Sequence, residues 1–548
     1  MSNRVYRPPQ GVIFGMRAML CCALLSAVSI SAQSAREKLD LDAIARIREA
    51  ALNHSEVAET AGYLSDVVGP RLTGSPNFKL AQLYVRDRLA GWGLAAAHLE
   101  PWGPFGRGWS LEALVVNQLA PGFTPLIAYP KAWSPGTDGI VRGEAVLLDV
   151  GSTADIERYV GRLKGRIVLL SPARAVDPLF EPQQTRQSDA SLLALANAPA
   201  AAQSRPFQFT PEQLAVQSLD YAKWQLLQSE GAAVVLTPGY RDGGAVYVTA
   251  ATVPQPPGVP FARRQRAFDL TAPPILPQLA VAVEQYNRIA RLLARGIPVQ
   301  LEVNLAVRFF EADPMSANVL AEIPGGDLKD EIVMLGASLD SWHAGTGASD
   351  NAAGAATAME AVRIIQALGL KPRRTIRVGL WSAEEQGTLG SHAYVAAHFG
   401  RRVPKPPDDE QGVVIETKSE YSKLAGYFNL DYGSGRIRGI YLQGNEGARP
   451  IFRDWMAPFA DLGVATLSAA SIGATDHIAF DEIGLPAFQF IRDYFEGSAG
   501  KDPAHTNMDT LDHVLFDDLK QSAAVAAAFV YTLAMRDAPL PRRPLPSK

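Results

Sequence analysis

The sequence predicts an α/β fold in which helices flank a central sheet and a separate, β-rich domain is inserted between two regular halves. Two observations lead to this prediction. After Pro314 the chain repeats a pattern of apolar strand, loop and helix, which is typical of a sheet with helices on both faces. Between about residues 130 and 298 the chain is instead rich in proline and glycine and has only short apolar runs, which indicates an inserted domain.

Helices are predicted ahead of the insertion. From Asp40 to Gly93 the pattern favours two or three helices, and apolar residues recur at helical spacing in Leu80–Ala90 before Gly91 and Gly93 end the run. The segment Pro70–Pro76 contains two prolines and a glycine and is predicted to be a loop.

The inserted domain is assigned to residues 131–300. Its apolar runs at residues 166–170 and 232–236 predict buried strands. Residues 177–205 and 240–274 are predicted to be long loops, which are typical of an insertion rather than of a compact core.

The elements after the insertion alternate between strand and helix. Ala355, Met359, Val362, Ile365 and Leu368 lie on one stripe of a predicted helix. The strands are predicted at residues 332–337, 375–381, 426–430 and 486–491, and the helices at 352–370 and 515–535.

Residues 1–35 are predicted to be a cleaved signal peptide. Arg4, Arg7 and Arg17 precede an apolar run over residues 18–28, which is shorter than the roughly 20 residues that a bilayer span needs. We therefore expect an exported protein, periplasmic or secreted, with no stable membrane anchor after cleavage.

Composition narrows the classes of function. The net charge of −4 gives no reason to expect nucleic acid or an anionic membrane as a partner. Both cysteines, Cys21 and Cys22, lie inside the predicted signal peptide. A thiol enzyme is thereby excluded, and a metal in the mature chain must be held by His, Asp and Glu.

Acidic residues follow several of the predicted strands. Asp340 and Asp350 follow one strand, the pair Glu384 and Glu385 follows the next, and Asp431 follows a third. Sites in open α/β sheets form beyond the carboxyl ends of the strands. We therefore expect these side chains to converge although they are scattered in sequence, and His505 is the candidate imidazole for the same site.

These residue types suit hydrolytic zinc chemistry, which needs a bound water and a base beside it. Asp350 is the candidate for a carboxylate that bridges two metal ions, and Glu385 and His505 could complete one metal site. Asp431 would be a ligand of the other metal site. Glu384 alternates away from its neighbouring ligand and is the candidate general base.

Four segments resemble the MH-clan zinc aminopeptidases, a family that includes secreted bacterial aminopeptidases, plasma glutamate carboxypeptidase and the glutaminyl cyclases. They are Gly69–Pro76, Ser349–Gly354, Ala383–Gly387 and His505–Thr510. The resemblance implies a mixed eight-stranded sheet, two zinc ions and a protease-associated type of insertion. The peptidase domain would then consist of residues 36–130 and 301–548.

The roles implied by the resemblance match those argued from the residues, with one departure. Family members carry a ligand histidine two residues before the position of Asp340, where this chain has Ser338. In the family, the aspartate at the position of Asp340 holds that histidine in place without contacting the metal itself. A serine hydroxyl is a poor zinc ligand compared with imidazole.

The departure leaves three alternatives. The chain could be a one-zinc enzyme that uses Asp350, Glu385 and His505, as glutaminyl cyclases do. His343 could swing in as a substitute ligand. The chain could also be a binding protein without catalysis, as the transferrin receptor is. The retention of Glu384, which in this scheme serves only chemistry, argues against the last.

The favoured function is an exported zinc exopeptidase, most simply an aminopeptidase, that hydrolyses short peptides through a metal-bound water with Glu384 as general base. A one-zinc cyclase-like acyltransferase is the main alternative. Asp476 and His477 are predicted to contact substrate or to support the site, and His343 is a further candidate for substrate binding. The expected partner is a peptide, and the sequence leaves the oligomeric state open.

Overall fold

The computed structural model describes residues 36–178, 180, 185–200, 208–404, 413–431, 433–493 and 502–543. The chain divides into residues 1–36 and 37–548, and the elements below lie in the second unit. The predicted signal peptide lies outside the described residues. Within the ranges given above, no helix has both the length and the apolar character needed to cross a bilayer.

Helices and strands alternate along the second unit. The helices are α1 Leu41–Asn53, α2 Val57–Gly62, α3 Pro76–Gly91, α4 Asp189–Ala196, α5 Pro211–Glu230, α6 Val283–Ala294, α7 Ala353–Ala367, α8 Leu389–His398, α9 Arg449–Met456, α10 His477–Asp481 and α11 Phe516–Met535. The strands are β1 Ala95–Trp102, β2 Gly108–Ala120, β3 Thr124–Pro125, β4 Ala128–Pro130, β5 Ile140–Leu147, β6 Ile167–Leu169, β7 Val234–Pro238, β8 Gln278–Val281, β9 Gln300–Phe310, β10 Ser316–Ile323, β11 Leu328–Ser338, β12 Arg374–Trp381, β13 Gly400–Pro404, β14 Val413–Thr417, β15 Leu424–Asn429, β16 Ile437–Tyr441, β17 Thr466–Ser468 and β18 Ala487–Arg492.

The first sheet has eight strands in the order β1-β10-β12-β11-β15-β18-β16-β17. Its centre is parallel, since β11 pairs in parallel with both β12 and β15, and β15 pairs in parallel with β18. Strands β1, β10 and β12 pair antiparallel at one side. The predicted mixed α/β sheet is therefore present.

The second sheet also has eight strands, in the order β3-β2-β9-β5-β6-β7-β8-β4. It extends beyond residues 131–300 because β2 and β9 pair antiparallel along most of their length, from Gly108 opposite Phe310 to Ala120 opposite Gln300. This long ribbon connects the inserted strands to the first sheet. Apolar side chains of β6, β7, β8 and β9 form the core of the second sheet.

Two helices pack against the first sheet and are buried almost entirely. In α7 nearly every residue is buried, and α11 is buried over most of its length. Both are rich in alanine, whose small side chain lets helices approach closely, and a helix that is apolar on all sides belongs in a core. The predicted helices at 352–370 and 515–535 are therefore present, each slightly shorter than expected.

The parallel strands end at the same edge of the first sheet. Strand β11 ends at Ser338, β12 at Trp381 and β15 at Asn429. The segments that carry Asp350, Glu384 and Asp431 follow these ends directly, so the sheet topology brings them to one crevice.

Candidate metal centre and its pocket

Three side chains that could hold a metal ion meet at this edge. Nε2 of His505 lies 3.0 Å from Oδ2 of Asp350 and 3.0 Å from Oε2 of Glu385. One ligand atom from each of the three lies within 4.8 Å of the others, and across the described ranges no other group of three shares this arrangement. The structure thus brings together three of the four ligands predicted from the sequence.

Asp509 fixes the turn that presents Asp350. Its Oδ1 accepts hydrogen bonds from the backbone N–H of Ser349 at 2.7 Å and from the Ser349 hydroxyl at 2.6 Å. Its Oδ2 accepts the backbone N–H of Asp350 at 3.2 Å. Burial, together with the charge of Asp350, raises the pKa of Asp509 to about 7. The sequence alone does not indicate this role, although Asp509 lies in the segment His505–Thr510 that carries part of the resemblance.

Asp340 positions the turn that carries the two glutamates. It is fully buried, and its carboxylate accepts the backbone N–H of Glu384 at 3.1 Å and the hydroxyl of Thr73 at 3.0 Å. The same hydroxyl oxygen accepts the N–H of Ala383 at 3.0 Å. Burial raises the pKa of Asp340 to about 7. Asp340 therefore supports the general-base candidate directly.

Arg71 ties several loops together beneath the site. Its buried guanidinium donates hydrogen bonds to the carbonyls of Leu339 at 2.9 Å, Thr346 at 2.8 Å and Gly347 at 2.7 Å. Burial lowers its pKa to about 10, against the opposing charge of Asp509 and other nearby carboxylates. The segment Gly69–Pro76, which carried part of the resemblance, is thus a structural support of the site.

His505 is oriented by a residue from the second sheet's domain. Its Nδ1 lies 3.1 Å from the hydroxyl of Tyr247, and the two rings lie 5.3 Å apart. Burial disfavours the imidazolium, but the charges of Glu385 and Asp350 outweigh it, so the pKa of His505 is raised well above its usual value. No feature of the sequence had pointed to Tyr247.

The carboxylates of the site repel one another. Burial raises the pKa of Glu385 to about 8, with a further contribution from Asp350. Burial also raises the pKa of Glu384 well above its usual value, and the charges of Asp431 and Asp476 add to it. A cluster of buried carboxylates is costly unless a cation is present, which makes this crevice suited to a divalent metal ion.

Ser338 and Asp431 do not join the three-residue cluster. Ser338 is buried and its hydroxyl oxygen accepts a hydrogen bond from Nδ2 of Asn351 at 2.9 Å. Asp431 lines the pocket, and its backbone carbonyl accepts a hydrogen bond from Gln489 at 2.9 Å. At the second predicted metal position, Ser338 therefore offers a hydroxyl group where an imidazole was expected.

His343 lies in a different setting from the cluster. Its Nε2 donates to the carbonyl of Pro130 at 2.8 Å, and its ring meets Trp109 edge-on at 4.9 Å. Burial lowers its pKa to about 4, and it is absent from the pocket wall within the described residues. The observed contacts are those of a structural histidine, and they give no support to a ligand role.

Asp476 and His477 are buried beside the site. The charge of Asp476 acts on Glu384, as noted above, and burial raises its own pKa well above the usual value. Nε2 of His477 lies 2.7 Å from Nε2 of Gln443 and 3.1 Å from the carbonyl of Ile472. Neither residue lines the pocket in the described part of the chain, and Asp476 affects the pocket through its charge on Glu384.

The cluster opens into a pocket of about 840 Å³. One part of its wall comes from the loops that follow the strands of the first sheet and includes Trp342, Asp350, Glu384, Asp431 and His505. The other part comes from the chain between β7 and β8 and includes Arg241, Tyr247, Phe261, Arg264, Arg266 and Phe268. A pocket of this volume is typical of binding sites for small ligands.

Comparisons with known proteins agree with this geometry. Residues 318–530 match the family model described as "Peptidase family M28". Carboxypeptidase Q from Homo sapiens is 25% identical over 492 residues, which cover 88% of this chain and 86% of that protein.

Two solved structures extend the comparison. A peptidase M28 precursor from Shewanella amazonensis is 25% identical, with a TM-score of 0.62 and coverage of 92% of this chain and 99% of that one. The zinc aminopeptidase BSAP from Bacillus subtilis is 18% identical, with a TM-score of 0.51 and coverage of 87% and 93% respectively. The second likeness concerns the fold alone. Together these findings confirm both the resemblance and the mixed α/β fold predicted from the sequence.

Proposed function

Because residues 318–530 of this chain belong to peptidase family M28 and the chain is a zinc metallopeptidase, we propose that it is an exported exopeptidase that hydrolyses short peptides with Glu384 as general base. The observation that carries the proposal is the cluster of Asp350, Glu385 and His505 beside Glu384 in one pocket. Export rests on the pattern of residues 1–35, and fractionation of the producing cells would test it.

The residues of the cluster fit zinc. Two carboxylates and one imidazole form a donor set that zinc accepts while keeping a position open for water or substrate. A zinc ligand must be a neutral imidazole, so the ring proton would lie on Nδ1 of His505 and would be donated to the Tyr247 hydroxyl 3.1 Å away. When bound, zinc would lower the pKa of a water and polarise the peptide carbonyl.

Glu384 is placed to move a proton. It lines the same pocket as the cluster but is not one of the three clustered residues. Its raised pKa, which follows from burial and from neighbouring carboxylates, favours uptake of a proton from the attacking water. The same carboxyl would then return the proton to the leaving amine. The hydrogen bond from its backbone N–H to Asp340 keeps Glu384 in position for both transfers.

The contacts of Ser338 support one tightly held zinc rather than two. Its hydroxyl accepts a hydrogen bond from Asn351, so it is committed to a buried structural contact. Zinc sites in proteins generally combine three or four donors, and a hydroxyl at position 338 is a poorer zinc donor than an imidazole. We expect about one zinc per chain, held by the three clustered residues.

The decisive experiment is Glu384→Gln, measured by release of a chromogenic group from an unblocked amino-acid amide and by zinc per chain. General bases contribute about 10²- to 10⁴-fold, so turnover should fall by that factor. Zinc content should be unchanged. Glu311→Gln is the matched control, because the side chain of Glu311 is 58% exposed and paired only with Arg107 among the described residues.

Two outcomes would contradict the proposal. If Glu384→Gln were about as active as the parent, Glu384 would not be the general base. Cyclisation of an N-terminal glutamine by the parent protein, with no peptide hydrolysis, would instead favour an acyltransferase.

A further inference from the structure

The connection between β6 and α5 leaves the second sheet and contacts the first. Its residues 186–196, which include α4 and are called the latch below, lie against β16, β17 and β18. Nη1 of Arg186 donates to Oδ2 of Asp493 at 2.7 Å and to Oδ2 of Asp518 at 2.8 Å. The backbone N–H of Gln187 donates to Oδ1 of Asp493 at 2.8 Å. The latch is therefore held by two carboxylates, one directly after β18 and one in the first turn of α11.

The ion pairs of the latch can break without leaving Asp493 unpaired. Its side chain is 0% exposed and also lies 3.3 Å from Nε of Arg436 and 3.3 Å from Nη1 of Arg438. The side chain of Arg186 is instead 47% exposed. A half-exposed ion pair is weakened when salt screens it. Release of Arg186 is therefore compatible with an intact first sheet.

The apolar contact of the latch is small. Leu192 is the buried residue of α4 and forms a cluster with Tyr441 of β16 and Ile491 of β18. The next residue, Leu193, is 62% exposed. Helix α4 has 8 residues, and helices of that length are marginal in water unless tertiary contacts hold them. The docked state of the latch therefore depends strongly on Arg186 and Leu192.

Both ends of the same connection hold the chain between β7 and β8, which forms one wall of the pocket. Near its start, the guanidinium of Arg174 donates to the carbonyls of Gly239 at 3.0 Å and Arg241 at 2.9 Å. At its end, Oε1 of Gln217 in α5 accepts the N–H of Gly258 at 2.9 Å. The connection thus links the pocket wall, at its two ends, to the first sheet, through the latch.

We propose that residues 186–196 are an ionic latch that holds the chain between β7 and β8 against the first sheet and that opens when salt screens its ion pairs. With the latch open, this chain moves away from the strand ends of the first sheet and the pocket widens. The opening concerns the conformation of the chain and goes beyond the proposed function. Only its effect on turnover rests on the exopeptidase proposal.

Direct contacts between the pocket wall and the first sheet limit the size of the effect. The N–H of Val248 donates to the carbonyl of His505 at 2.9 Å, and Nη2 of Arg241 lies 3.4 Å from Oδ2 of Asp502. These contacts favour the closed wall even when the latch is open. Opening should therefore weaken substrate binding by a moderate factor rather than abolish turnover.

The first test measures the latch itself through the rate of thiol modification in Leu192→Cys. The full chain is used, and modification at position 192 is read by peptide mass spectrometry so that Cys21 and Cys22 do not interfere. Adding Arg186→Gln should raise the rate about 10-fold, the lower end for a charged hydrogen bond because Arg186 is half exposed. Salt should raise the rate in Leu192→Cys between about 0.1 M and 1 M, over which the Debye length falls from about 10 Å to about 3 Å. The variant without Arg186 should respond much less.

Three variants serve as controls for the labelling. Leu193→Cys, next to the buried position, should react rapidly at any salt concentration. Arg142→Gln also removes an ion pair, but its partner Glu302, 2.7 Å away, lies in the second sheet, so labelling at position 192 should not change. Arg186→Lys should give an intermediate rate, because the charge returns without the planar fork.

The second test measures the effect of the latch on the pocket. Arg186→Gln combined with Leu192→Ala removes both the ion pairs and the apolar contact, and zinc is kept in excess. KM for an unblocked amino-acid amide should rise about 3- to 10-fold, because the apparent affinity falls with the fraction of closed protein. The value of kcat should stay within about twofold, since the clustered residues and Glu384 lie outside the latch.

The outcomes separate the latch from the function proposed above. Labelling at position 192 that responds neither to salt nor to Arg186→Gln would overturn the latch. Faster labelling with an unchanged KM in the double variant would also overturn it, because the pocket wall would then be independent of residues 186–196. A lower kcat with unchanged KM would indicate a general loss of folded protein and would contradict the inference as well. If the parent cleaved no amide or peptide, the proposed function would fail, and the labelling experiment would still decide whether the latch opens.

Discussion

Removal of the Tyr247 hydroxyl should weaken zinc binding without disturbing the fold. In Tyr247→Phe the ring remains in place beside His505, at a centroid distance of 5.3 Å. Only the partner of Nδ1, 3.1 Å away, is lost. The substitution therefore isolates one hydrogen bond to the candidate ligand His505.

The magnitude follows from what that bond does. Without it, the imidazole of His505 loses the contact that fixes its tautomer and ring orientation. Loss of such an outer partner typically costs 10- to 100-fold in metal affinity, which is about 1.4–2.7 kcal/mol. The value falls within the range expected when a buried donor is left without an acceptor.

The assay is competition for zinc against a chromogenic chelator at fixed pH, with the thermal midpoint measured in parallel. Tyr240→Phe is the matched control, since the Tyr240 ring lies 5.8 Å from that of Tyr247 but is 72% exposed. We expect the dissociation constant to rise only in Tyr247→Phe. A change of less than twofold, with the apo-protein midpoint unaltered, would refute the proposed support of His505.

Two further predictions concern groups outside the catalytic step. Ser338→Ala should lower the free energy of unfolding by about 1 kcal/mol, since Asn351 loses one hydrogen-bond acceptor; zinc per chain should stay constant, and a drop would make Ser338 a ligand. Hydrogen bonds to Glu100 and Glu420 raise the pKa of His398 to about 9. Protonated His398 should therefore stabilise the fold below about pH 6.5, and this contribution should be lost as the pH rises through 9. Denaturant unfolding at pH 6 and pH 9.5 should show a smaller difference in His398→Gln than in the parent, and an equal difference would contradict this assignment.

The convergence of the candidate ligands could be predicted because sheet topology constrains where they lie. Asp350 and Glu385 follow neighbouring parallel strands, and parallel strands present their carboxyl ends at one edge. The same rule placed Asp431 and Glu384 at this edge. The alternation of apolar runs was sufficient to find β11, β12, β15 and β18 to within a few residues. The pattern of apolar runs and the topology of parallel strands were therefore sufficient to predict most of the first sheet and the edge at which the acidic residues lie.

The supporting residues could not be found in this way. Tyr247 reaches His505 across 258 positions of the chain, and Asp509 reaches Ser349 across 160. Nothing in the spacing of a lone tyrosine or aspartate indicates such a contact. Similarly, the contacts of His343 depend on the carbonyl of Pro130, the last residue of β4 in the second sheet. These pairings follow from how the two sheets' domains pack, which a periodicity argument does not contain.

The chain between β7 and β8 contributes to the candidate metal centre together with the first sheet. Tyr247 lies 3.1 Å from Nδ1 of His505, and Arg241, Arg264 and Arg266 line the same pocket. The first sheet's strand ends contribute mainly carboxylates to that pocket, and buried carboxylates repel one another unless a cation is present. The chain between β7 and β8 therefore adds a hydroxyl group and positive charges to a pocket whose other wall is acidic.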